Sequence, residues 1–104
     1  MSKNKDMDYN GKKWKRKRAK ILKRDRYIDK VAARYGKTVE ATIVHHIYPS
    51  DEYPQYEWED WNLISVSFET HNKLHNRNDG SLSKEGEALK ERLESLRRWQ
   101  GEKL

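Results

Sequence analysis

The sequence predicts an α+β domain in which two short antiparallel strands and a helix form the centre and further helices flank them on both sides. Three observations carry this. A β-branched run, 38–44, leads directly into the pair His45 and His46. A second apolar run, 63–67, follows a long turn-rich stretch and reads as the return strand. Then His71 and His75 stand four residues apart, the spacing that stacks two side chains on one helical face.

In chain order, Asn10 reads as an N-cap, and Trp14, Arg18, Ile21, Leu22 and Asp25 recur at helical spacing. Between 12 and 26 there are ten Lys or Arg against one acid, Asp25, so the whole of the net charge of +6 is concentrated here. Such a run is either a solvated helix face or a surface for phosphates. Ile28, Val31, Ala32 and Tyr35 keep the helical period up to Gly36, which reads as a C-terminal stop for a second helix or a continuation of the first. This basic helical lead-in spans 10–36.

The strand carrying His45 and His46 ends before Pro49. Both prolines of the chain, Tyr53, Tyr56, Trp58 and several acids then fill a long loop up to Asp60. A short helix over 69–76 is expected to carry His71 and His75, and Asn78-Asp79-Gly80 to end it in a turn. Ser83 is a natural N-cap for a final helix over 83–100, with Glu85 and Glu87 in its first turn. Leu82, Gly86, Leu89, Leu93 and Leu96 form its apolar stripe. A stripe of under three heptads docks on its own domain more readily than it pairs two chains, so a monomer or weak dimer is expected.

Composition narrows the function classes. Apolar residues make up 34% and charged residues 38%, so the core must be small, and 104 residues suit one domain. Cysteine is absent, which excludes disulfides and thiolate metal sites and fits a reducing cytoplasm. No apolar run approaches a membrane span and no secretory signal is visible, so a soluble protein with no membrane partner is expected. A pI near 9.5 points to a polyanion.

Two histidines beside an apolar strand are often mere packing residues, and it is the ordered set around them that points to chemistry. Tyr9-Asn10 to Trp14, Leu22-Lys23-Arg24-Asp25-Arg26-Tyr27, Val44-His45-His46-Ile47-Tyr48-Pro49, Trp61-Asn62-Leu63-Ile64 and His71-Asn72-xx-His75 together resemble the HNH endonucleases, in particular small phage-type members. The resemblance implies a ββα-metal (His-Me finger) core over 38–78 within a single nuclease domain, 1–104. It implies that His45, His71 and His75 hold one divalent metal ion, with Asn72 in reserve. It also implies that His46 is the general base, and that Asn62 orients the loop bearing His46. Products would be a 5′-phosphate and a 3′-hydroxyl.

Phosphodiester hydrolysis needs these parts in any case, a base of near-neutral pKa on one side and a metal ion on the other. Three imidazoles favour Mn, Ni, Co or Zn over Mg in affinity, though Mg or Mn can still be the working ion. DNA is then the expected partner, met by Lys12, Lys13, Lys15, Arg16, Lys17 and Arg18, with Lys73 and Arg77 beside the metal helix. In phages such proteins are often encoded beside the packaging machinery, so the resemblance suggests a role with terminase in the host cytoplasm. The alternatives are a non-catalytic DNA-binding module whose metal site is idle or structural, and a structural zinc adaptor. One departure stands out. Many relatives carry two Cys-x-x-Cys knuckles around a structural zinc, and the matching positions here are Asp29 and Ala32, then Ser67 and Thr70. Packing of a helix extended through Tyr35 is expected to take the place of that zinc.

Overall fold

The computed structural model describes residues 8–103, with side chains described for 8–100. Helix α1 spans Lys12–Arg24 and buries Trp14, Ile21 and Leu22, while its cations face outward. Its N-cap is Gly11 and not Asn10. The reason is local: Asp8 accepts the Asn10 backbone N–H with its carboxylate and the Gly11 N–H with its carbonyl, which turns the chain one residue later. Lys23 and Arg24 in the last turn suit the negative end of the helix dipole.

The helix does not run on to Tyr35. Arg26 and Tyr27 adopt left-handed φ values of 57° and 59°, which break the helical ladder. Only a four-residue helix, α2 (Lys30–Ala33), follows. Asp29 caps it through Val31 N–H and Ala32 N–H, and Gly36, at φ 78°, stops the chain beyond it.

The β-branched run divides between two partners. Its first half lies against the 27–29 segment, where Val39 and Tyr27 carbonyls accept from Asp29 and Ala41 N–H and Ile28 bridges Glu40. Only Ile43–His46 forms a strand, β1, antiparallel to β2 (Leu63–Val66), with His45 opposite Ile64 and His46 opposite Leu63. The far edge of β2 is closed by side chains. Arg24 donates to the Leu63 carbonyl, Asp25 accepts from Ser65 N–H at 3.0 Å, and Asp29 accepts from Ser67 N–H at 2.9 Å. These three residues act as a third strand would, and β2 presents no free template for another chain.

The knuckle positions are therefore joined by hydrogen bonds rather than by packing of an extended helix. Asp29, fully buried, holds Val31, Ala32 and Ser67 N–H, and Ser67 Oγ in turn accepts from Thr70 N–H. Burial raises its carboxyl, yet bonds from Ala32, Thr70 and Ser67 outweigh this and hold it below the usual carboxylate range.

Between the strands, 47–62 folds into two short 3₁₀ turns, Pro54–Tyr56 and Asp60–Asn62. Tyr48, Tyr53, Tyr56 and Trp61 cluster there. Helix α3 (Phe68–Leu74), capped by Ser67, is shorter than the expected 69–76, and α4 spans Lys84–Lys103 with Ser83 as its cap through Gly86 N–H. Helix α4 docks on the domain through Gly86, Leu89 and Leu93, with buried Leu82 just ahead of it, and its Arg97 lies 3.7 Å over Trp61. Leu96 falls outside that contact, 47% exposed. No helix among the described residues is long and apolar enough to cross a membrane.

Candidate metal centre

Successive residues of a strand face opposite ways, so β1 sends His45 toward α3 and His46 toward α1. His45 is buried, and its ring centroid lies 5.4 Å from that of His71 and 5.1 Å from that of His75. One donor nitrogen from each of the three lies within 4.8 Å of the others. His71 projects from α3, whose first turn is fixed by Ser67. His75 is not on the helix. It is the C-cap, extended at φ −124° and ψ 147°, and it bridges Leu82. The helix ends because the backbone turns there to pair with the segment entering α4, and this swings His75 inward.

Hydrogen bonds and burial prepare the three rings for a cation. The Gly80 carbonyl, 2.9 Å away, can only accept, so His75 Nδ1 carries the proton and Nε2 keeps its lone pair. His45 Nε2 is buried without a hydrogen-bond partner among the described residues, an arrangement costly for a polar atom unless something binds it. Burial, reinforced by the neighbouring imidazoles, pushes His45 well below its ordinary value, and burial with His75 brings His71 to about 4. Both rings are therefore neutral at pH 7 with lone pairs available, and the donor set fits a divalent ion.

His46 stands on the other side of the strand, at the edge of the same cleft of about 820 Å³. Its Nε2 lies 3.0 Å from the Glu57 carbonyl, so Nε2 carries the proton and Nδ1 is left as the acceptor. Burial lowers its pKa, and the Glu57 bond opposes that in part. Asn62, fully buried, accepts from Tyr48 N–H at 2.7 Å and donates to the Tyr48 and Tyr56 carbonyls, each at 3.1 Å. It thus ties the end of β1 to the loop that carries Glu57.

The HNH endonuclease of the deep-sea thermophilic bacteriophage GVE2, solved with a manganese ion, shares this arrangement of chain. It is 30% identical, with a TM-score of 0.60 over 62% of this chain and 70% of that one. The chain belongs to the HNH endonuclease family. No family model matches the sequence and no curated protein matches it. The α+β architecture described above is the ββα-metal fold of that family, and membership makes the chain an endonuclease.

The expected DNA contacts of this HNH protein are in unequal positions. Lys12, Lys15 and Arg16 are exposed on α1. Lys13 lies 4.0 Å over the Trp58 ring, Lys17 pairs with Asp60 at 2.6 Å, and Arg18 donates to the Thr42 carbonyl. Lys73 lines a separate cleft between α2, α3 and α4, and Asn72 and Arg77 are exposed. Sequence reasoning missed the Glu57 and Gly80 carbonyls, since a backbone acceptor leaves no mark in residue type.

Proposed function

We propose that the chain is a metal-dependent endonuclease that hydrolyses DNA phosphodiester bonds, with His45, His71 and His75 as ligands of one divalent ion and His46 as general base. The observation that carries this is the buried, unpartnered Nε2 of His45 facing two further imidazoles, with a second, tautomer-fixed histidine beside it. Three imidazoles favour Mn, Ni, Co or Zn in affinity, with Mn or Mg as working ion. The ion, when bound, supplies Lewis-acid stabilisation of charge on the phosphoryl oxygens and the departing 3′ oxygen.

The residues do the rest. Nδ1 of His46 takes a proton from the attacking water, and the Glu57 carbonyl accepts a hydrogen bond from the imidazolium that results. Asn62 is a positioning residue that keeps Glu57 and His46 in register. Lys12, Lys15 and Arg16 meet backbone phosphates without reading bases. A phage origin, action in the host cytoplasm and work beside a terminase complete the reading.

Supercoiled plasmid incubated with the purified protein and Mn or Mg tests it. Nicked or linear product that disappears with chelator supports the proposal. Retarded but uncut plasmid at all metal concentrations favours a DNA-binding module with an idle site.

A further inference from the structure

The ring plane of His46 is fixed by a residue outside the strand-strand-helix core. A hydrogen bond from Nε2 to the Glu57 carbonyl restrains one atom of the imidazole and leaves the ring free to pivot about that bond. The indole of Trp14 covers one face of that ring. It is buried and lies nearly parallel to the imidazole, 19° between planes and 5.3 Å between centroids. Its other aromatic neighbours meet it edge-on, Tyr9 at 85° and Trp58 at 64°. The flat face is thus given to His46, and the packing contacts are made elsewhere.

Trp14 is itself on a braced helix. Lys17 and Lys20 grip the Asp60 carboxylate, Arg24 donates to the Asp60 carbonyl, and Arg18 donates to the Thr42 carbonyl. Asp60 lies in the same turn as Asn62, and Thr42 immediately precedes β1. Helix α1 is therefore tied to the turn that carries Asn62 and to the residue that leads into β1.

We propose that Trp14 is a positioning residue for hydrolysis, aiming Nδ1 of His46, and that the basic lead-in helix is part of the catalytic centre as well as a phosphate-binding surface. This rests on the reading of His46 as base. A group held a fraction of an ångström off line loses much of its rate, because the alignment is no longer prepared before reaction.

The test uses the full chain with manganese and bis(4-nitrophenyl) phosphate, a diester too small to span the cations of α1. Trp14→Leu should lower kcat on the order of tenfold or more while KM stays near wild type. Manganese affinity by calorimetry should be unchanged. Trp14→Phe, which restores a flat face, should recover most of the loss. In a His46→Ala background, Trp14→Leu should have no further effect, since it acts only through that imidazole. Wild-type kcat in Trp14→Leu, or a loss of equal size with and without His46, overturns the proposal and leaves Trp14 as core packing. If His46→Ala itself keeps wild-type kcat, the base assignment falls first and takes this inference with it. Should Trp14→Leu not fold, proton spectra of the wild-type protein still decide. Carbon-bound ring protons of His46 must be shifted upfield by the indole, and unshifted signals refute the stack.

Discussion

Asp29 Oδ2 accepts the backbone N–H of Ser67 at 2.9 Å, joining the cap of α2 to the end of β2 across 38 residues of sequence. With Val31 and Ala32 N–H on its other oxygen, one carboxylate orders the two segments that a zinc knuckle would otherwise join. Asp29→Ala should cost roughly 2–4 kcal/mol in denaturant unfolding at pH 7, because it leaves buried donors unpaired. The carboxyl is depressed in the fold, so this stabilisation is present above the unfolded value near 4 and fades as pH falls through the folded value. The gap between wild type and variant should therefore narrow in acid. Chelator should leave the far-UV helix signal of the wild type intact, whereas its collapse would show a structural metal.

The metal-free protein should lose melting temperature as pH falls from about 7 to 5. His45 and His71 are depressed in the fold, so between the unfolded value near 6.5 and the folded values the unfolded chain binds more protons and is favoured. Manganese should raise the melting temperature throughout this range, since the folded His45 and His71 stay unprotonated there, and should lose its effect only as pH nears the folded values, about 4 for His71. Scanning calorimetry with and without the ion checks both trends.

The adjacent histidines should separate cleanly. His46→Ala should keep metal affinity and lose roughly 10²-fold or more in cleavage, the scale of a lost general base. His45→Ala should weaken metal binding and lose activity with it, with partial recovery at high metal because His71 and His75 remain. Calorimetric titration of both variants decides, and the opposite pattern would reverse the two roles.

On α1, the exposed and the engaged cations should behave differently. Neutralising Lys12, Lys15 and Arg16 together should weaken binding to all DNA sequences alike and reduce the salt slope by up to about 3, with melting unchanged. Lys17→Met should instead lower stability by at most about 1 kcal/mol through loss of its pairing with Asp60, whose carboxyl Lys17 and Lys20 together bring to about 2. Filter binding over a salt series, beside thermal melts, separates the two groups.

Gly86→Ala should destabilise although alanine is the better helix former. A Cβ there would collide with the Leu74 carbonyl oxygen and sit 2.9 Å from Leu82 Cδ2, so α4 must move away from α3. The expected cost is about 1–3 kcal/mol. Since Leu74 precedes His75, manganese affinity should fall as well, and an unchanged affinity would show that the end of α3 holds its place without α4.

Sequence by itself determined what depends on local period and spacing. The apolar stripe of α1, the strand pair, a short helix near 69–76 carrying His71, the Ser83 start of α4 and the concentration of cations over 12–26 were legible because each is written in consecutive residues. So was the ordered set of His45, His46, Asn62, His71 and His75, since chemistry-bearing types at fixed intervals survive without coordinates. Tertiary structure decided everything that needs a distant partner or a backbone group. Left-handed Arg26 and Tyr27 end α1 because the following segment turns to pair with 39–41, a long-range contact that helical period cannot register. His75 leaves the helix to meet Leu82, and the tautomers of His46 and His75 are set by the carbonyls of Glu57 and Gly80. Nothing in residue type marks Asp29, at its knuckle position, as buried, and only the approach of β2 makes it an acceptor of three amides. Carbonyls and amides are the same at every residue, so only the folded chain says which side chain they meet.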